Sequence, residues 1–180
     1  PDLAAEETAW QALWEEYRSR CADGSMESEG GAELWRRVHW LRREIAFKNP
    51  LANTGPLIFA KHVPGMFSHQ LTQYYGRYAR PGGGLYVLEE PGRSMRCRAL
   101  TSGLLPMGSY QQPEVCYEGD RVLFSFCAVD APPEDPFRGQ YGRYYHLYEI
   151  AADGTSLRQL TDGPYDDFAP RYLPDGRLLF

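Results

Sequence analysis

Three observations predict the fold class: apolar residues at steps of three and four up to residue 48, short β-type runs divided by Gly, Pro and Asp after residue 56, and an internal repeat of about 60 residues in that second region. Together they predict a mainly β chain. Residues 57–180 read as an incomplete β-propeller of about two blades, cut at its C-terminal end, and residues 1–50 as an α-helical hairpin in front of it.

The hairpin comes first. Trp10, Leu13, Trp14, Tyr17 and Cys21 repeat at helical steps over residues 3–21, and Leu34, Val38, Leu41 and Ile45 resume the pattern after a Gly/Ser/Glu stretch at residues 22–31. Asn49-Pro50 ends the second run, because the residue before a proline is pushed out of the helical region. The Trp-rich faces read as core, since aromatic side chains at this spacing supply large buried area.

Beyond Pro56, β-type runs stand at residues 57–61, 85–88, 95–100, 121–127, 146–150, 157–160 and 177–180. Two copies of one pattern order them. Leu85-Tyr86-Val87-Leu88, then Leu100-Thr101, then Pro113 to the Phe124 run, match Leu147-Tyr148-Glu149-Ile150, Leu160-Thr161, and Pro170 to Phe180. Asp153-Gly154, Asp175-Gly176 and Glu118-Gly119 read as hairpin turns between the strands. Gly82-Gly83-Gly84 reads as a tight turn entering a strand, for no phosphate-loop pattern and no following helix accompany it.

Bulk properties exclude several functions. The 180 residues, 43% of them hydrophobic, suffice for a core, while a net charge of -5 and a pI near 5.4 argue against a nucleic-acid partner. No apolar run is long enough to span a membrane. A first residue other than Met and a last residue inside a strand run are read as the ends of a segment of a longer protein. Cys21, Cys97, Cys116 and Cys127 form neither CxxC nor CxxCH. Cys116 and Cys127 read as buried single thiols, with pairing in an exported protein as the alternative.

No catalytic constellation and no metal set is expected. His62 and His69 lack a neighbouring carboxylate or thiolate at ligand spacing, and Asp162, Asp166 and Asp167 lack the terminal Glu of a calcium loop and read as a solvated acidic turn. The segment between the first strand run and the glycines, residues 62–78, is longer than a minimal connection. It supplies the candidate binding residues His62, His69, Tyr74, Tyr75 and Arg77. With Tyr78, and with Tyr141, Tyr144 and Tyr145 further on, it gives two aromatic and basic loops suited to glycan or peptide recognition. The competing expectation is that Met66, Phe67, Tyr74 and Tyr75 merely pack.

Leu157-Arg158-Gln159-Leu160-Thr161-Asp162-Gly163, followed by Ala169-Pro170-Arg171-Tyr172-Leu173-Pro174-Asp175-Gly176-Arg177, resembles the blade repeat of TolB-like propellers. Arg42-Arg43-Glu44-Ile45-Ala46-Phe47-Lys48-Asn49-Pro50-Leu51, Leu57-Ile58-Phe59-Ala60-Lys61-His62 and Arg80-Pro81-Gly82-Gly83-Gly84-Leu85-Tyr86 extend the likeness to proteins related to the hydrazine synthase alpha subunit, of planctomycete type. The resemblance covers about residues 40–180 and implies the propeller region of an exported or periplasmic multidomain protein. It implies a non-catalytic segment that scaffolds the parent's other domains or recognises a protein or glycan ligand. The alternative is the propeller part of a haem-dependent redox enzyme with its centres in C-terminal domains outside this segment. No cofactor is expected within it, because covalent haem needs CxxCH.

Overall fold

The structure, a computed structural model, describes residues 2–52, 54–66 and 69–180. By contact the chain divides into two units, Pro1–Pro56 with Glu90–Arg96, and Leu57–Glu89 with Cys97–Phe180.

In the first unit helix α1 (Ala4–Asp23) and helix α2 (Glu29–Phe47) flank a 3-10 turn (Ser25–Glu27). They run antiparallel, since Glu16 meets Arg37 at 2.6 Å while Glu6, earlier in α1, meets Lys48, just past the end of α2, at 2.7 Å. Leu13, Leu34 and Leu41 form the seam, with Met26 and Val38 packed on it. The reading of the Trp-rich faces as core is corrected here: Trp10 and Trp14 remain 43% and 44% exposed, and their rings stack with Tyr17 along one side of the seam. Two helices bury only one narrow stripe each, and Leu13 takes the buried place on α1. No helix among the described residues is long and apolar enough to cross a membrane.

The second unit begins with strand β1 (Leu57–Val63), the short helix α3 (Gln70–Tyr74) and a 3-10 turn (Gly76–Tyr78). Strands β2 (Arg80–Leu88), β3 (Cys97–Ala99), β4 (Gly108–Val115) and β5 (Arg121–Ala128) follow. The chain continues through β6 (His146–Ala151), β7 (Arg158–Gln159), β8 (Arg171–Tyr172) and β9 (Leu178–Leu179). They pair antiparallel in three sheets of order β1-β2-β3, β4-β5-β6-β7 and β8-β9. The class is therefore mixed, 30% helical and 27% strand, rather than mainly β. Short strands separated by long connections yield less strand than the sequence pattern promised.

Period-2 alternation explains the layering. On β5, Val122, Phe124 and Phe126 join Leu85, Val87 and Leu100 of the first sheet's strands and loop in one core, whereas Leu123 joins Cys116 and Tyr172 on the other side. A strand buried on both faces is an inner layer, and Val122, Leu123 and Phe124 have no exposed surface.

The first two elements of the two sequence copies share their pairing and several bonds. Tyr86 lies between Phe59 and Ala99, and Tyr148 between Phe124 and Gln159. Each tyrosine ring stacks on its Phe neighbour at 5.8 Å. Leu100 N donates to Leu85 O and Leu160 N to Leu147 O, both at 2.8 Å. The Leu85 amide donates to Thr101 Oγ1 at 3.2 Å and the Leu147 amide to Thr161 Oγ1 at 2.9 Å.

Two readings of local structure change. Gly82-Gly83-Gly84 is not a turn but lies inside β2, beside the register shift at His62 and Val63. Gly83 has φ +98, and a Cβ there would collide with the Lys61 carbonyl, so the close crossing of β1 requires glycine. Strand β4 was hidden by polar Gln111 and by Gln112 and Pro113, the last two of which occupy a bulge where the register shifts and Gln112 takes φ 51.

Candidate functional site

The site is a cleft of about 440 Å³ in the second unit, lined by Leu71, Tyr75 and Arg77 from the segment after β1, by Tyr141, Gly142, Arg143 and Tyr144 from the β5–β6 connection, and by Asp166 after β7. The two aromatic and basic loops seen in the sequence thus form one surface.

Asp166 holds them together. Its Oδ1 accepts from the amides of Gly76 at 2.8 Å and Tyr145 at 2.9 Å, one from each loop. The acidic loop expected to be a solvated turn is therefore a clamp, and its neighbour Asp167 faces His146 at 3.6 Å. Gly76 permits the approach: a Cβ would lie 2.6 Å from the Arg143 carbonyl oxygen and 2.7 Å from Tyr144 Cα. The Gln140 amide donates to Arg77 O at 2.7 Å, and the buried Tyr78 donates its hydroxyl to Phe137 O at 3.1 Å.

Beneath the cleft Tyr145 is buried; its hydroxyl donates to Ser109 Oγ at 2.8 Å and accepts from Gln111 Nε2 at 2.9 Å. Burial drives its phenol well above the ordinary range, and burial likewise pushes the Cys127 thiol up to about 12. Gln111 Nε2 also donates to Gln73 O at 2.6 Å, tying α3 to β4.

The cationic groups are arranged differently. The Arg77 guanidinium lies over the rings of Tyr78 at 4.6 Å and Tyr141 at 5.8 Å, and its buried Nε has no acceptor among the described residues. Arg143 is steered by a 2.8 Å bond from Nη1 to Ala131 O. Tyr141 stands 78% exposed at the rim.

Of the five candidate binding residues, the cleft gathers Tyr75 and Arg77 and leaves the others elsewhere. His69 caps α3: its Nδ1 accepts from the Leu71 amide at 3.3 Å, and its own amide donates to Thr72 Oγ1 at 3.4 Å. His62 is exposed on β1 opposite Gly83. Tyr74 stacks on Phe168 at 6.1 Å, and Tyr75 also meets that ring, edge-on at 6.2 Å. Phe67, expected to pack, lies outside the described residues, and Met66 is exposed. Sequence reasoning missed the cleft roles of Arg143 and Asp166, although the two tyrosines flanking Gly142-Arg143 marked the loop.

Among the described residues, Cys116, Glu118 and Asp120 gather three side chains of metal-binding type in the β4–β5 turn. Their charge is already answered. Cys116 Sγ donates to Asp120 Oδ1 at 3.1 Å, and Arg121 pairs with Asp120 at 3.3 Å and Glu118 at 3.6 Å. Cys116 and Cys127 are buried free thiols and Cys21 an exposed one.

No family model, no curated protein and no solved structure matches the chain.

Proposed function

We propose that the chain is a non-catalytic β-propeller segment of a larger exported multidomain protein, and that it recognises a ligand at the cleft between residues 71–77 and 141–144. The observation that carries the reading is the convergence of these loops, more than 60 residues apart, on rigid sheets, with aromatic faces and guanidinium groups turned to one opening. The lining residues include no Ser, Cys, His or Lys, and the one carboxylate among them, Asp166, is held by the Gly76 and Tyr145 amides.

The propeller part of the proposal draws on the repeat. On the first sheet, the face that carries Phe59 and Tyr86 repeats the Phe124 and Tyr148 face by which the second sheet packs on the first. A preceding sheet could seat there in the same way, as blades do. The resemblance of residues 157–177 to TolB-like blades agrees with this, and the likeness to hydrazine synthase-related proteins is the ground for proposing an exported parent.

A saccharide and peptide panel screened by thermal shift tests recognition. Ligands are expected whose stabilising effect disappears in the Tyr75→Ala/Tyr141→Ala double variant while the unliganded melting temperature stays within a few degrees. A panel that stabilises wild type and double variant alike, or neither, refutes the reading.

A further inference from the structure

Resting on the recognition reading, we propose that the cleft binds an acidic sugar of the uronate class, a pyranose ring that carries one carboxylate. Three features converge on this chemistry.

The first is uncompensated positive charge. Most arginines of this unit stand opposite a carboxylate, as Arg158 does opposite Glu149 at 2.6 Å. Arg77 and Arg143 face the cleft without such a pair among the described residues, and Asp166 is the one carboxylate in its lining. One anionic group brings the site to neutrality. A guanidinium receives a carboxylate through two parallel hydrogen bonds, a geometry that a neutral ligand lacks.

The second feature is the pair of ring faces. Tyr75 and Tyr141 leave 38% and 78% of their surface open, and the C–H face of a pyranose covers such rings while its hydroxyls reach the phenolic oxygens. The third is Asp166. Both backbone amides it accepts fall on Oδ1, so Oδ2 is left to accept from a ligand hydroxyl. A simple carboxylate such as acetate uses the first feature alone; a sugar acid uses all three.

Calorimetric titration of the full chain with D-galacturonate and with D-galactose, the same ring without the carboxylate, tests the proposal. Galacturonate is expected to bind at least tenfold more tightly than galactose, and more weakly as salt rises. Arg77→Ala is expected to lower galacturonate affinity at least tenfold at an unchanged melting temperature, with partial recovery in Arg77→Lys. Asp166→Asn keeps an oxygen for the two amides but removes the hydroxyl acceptor and one negative charge, and it is expected to weaken galactose more than galacturonate, whose carboxylate gains from the lost repulsion. Equal affinity for the two sugars, no galacturonate binding, or undiminished binding in Arg77→Ala overturns the assignment. If the sugars bind equally and Tyr141→Ala abolishes both, recognition at the cleft stands and the carboxylate assignment falls. If Tyr141→Ala leaves sugar binding intact, both readings fall.

Discussion

Thr101 and Thr161 hold equivalent places in two sheets, and removing their hydroxyls measures whether the repeat is energetically real. In each copy the threonine oxygen accepts the amide of the equivalent leucine, Leu85 in β2 or Leu147 in β6, both with no exposed surface. Thr161→Val leaves the Leu147 amide without its acceptor in a part-buried setting, and an unsatisfied buried donor costs about 1–3 kcal/mol. The cost belongs at the lower end, about 1–2 kcal/mol, because water can approach. Thr101→Val acts in a fully buried setting, so about 2–3 kcal/mol is expected. Serine at either position keeps the oxygen and loses only a methyl, which costs about 1 kcal/mol or less. All four tryptophans lie at residues 10–40, so urea unfolding of the second unit is followed by tyrosine near-UV circular dichroism and that of the first by tryptophan fluorescence. Valine variants that cost under about 0.5 kcal/mol, or serine variants as damaging as valine, refute the hydrogen-bond argument.

Gly76→Ala is expected to destabilise the second unit by about 1–3 kcal/mol and to weaken cleft binding, because the new methyl meets the Arg143 carbonyl; equilibrium unfolding and titration check both effects. Tyr145→Phe removes the partner of Ser109 and leaves Gln111 Nε2 with Gln73 O alone, and it is expected to cost about 1–3 kcal/mol by the same urea assay. The Cys127 thiol, raised to about 12 by burial from an ordinary value of 9.0, ionises in the unfolded chain before it does in the folded one. Its contribution is therefore full below about pH 9 and is lost as pH climbs towards 12, so the urea midpoint should fall across that window and do so less in Cys127→Ala. At pH 8, Cys21 should react with a thiol reagent at once and Cys127 only on unfolding.

Much of the layout was legible because it rests on local period. Leu13, Leu34 and Leu41 stood at helical spacing and form the hairpin seam, and the Leu-Tyr and Leu-Thr pairs of the repeat fall on equivalent strands and bonds. What escaped was set by partners distant in sequence. Trp10 and Trp14 carried the helical signal as strongly as Leu13 did, but only the geometry of a two-helix pair decides which of them is buried. Strand β4 broke its alternation at Gln112 and Pro113, where a bulge absorbs both. His69 had the residue type of a ligand and serves as a helix cap, a role visible only once Leu71 and Thr72 are seen to turn. Arg143 and Asp166 could not be assigned from sequence because their contacts, Ala131, Gly76 and Tyr145, are brought to them by the fold.

Recognition at the cleft is tested most directly by amide chemical-shift mapping of the full chain during a galacturonate titration. The account predicts saturable shifts centred on residues 71–77, 141–144 and 166, with little change at the exposed tryptophans of α1 and α2. Shifts centred on those tryptophans, or none at residues 71–77 and 141–144 at saturating sugar, would contradict it.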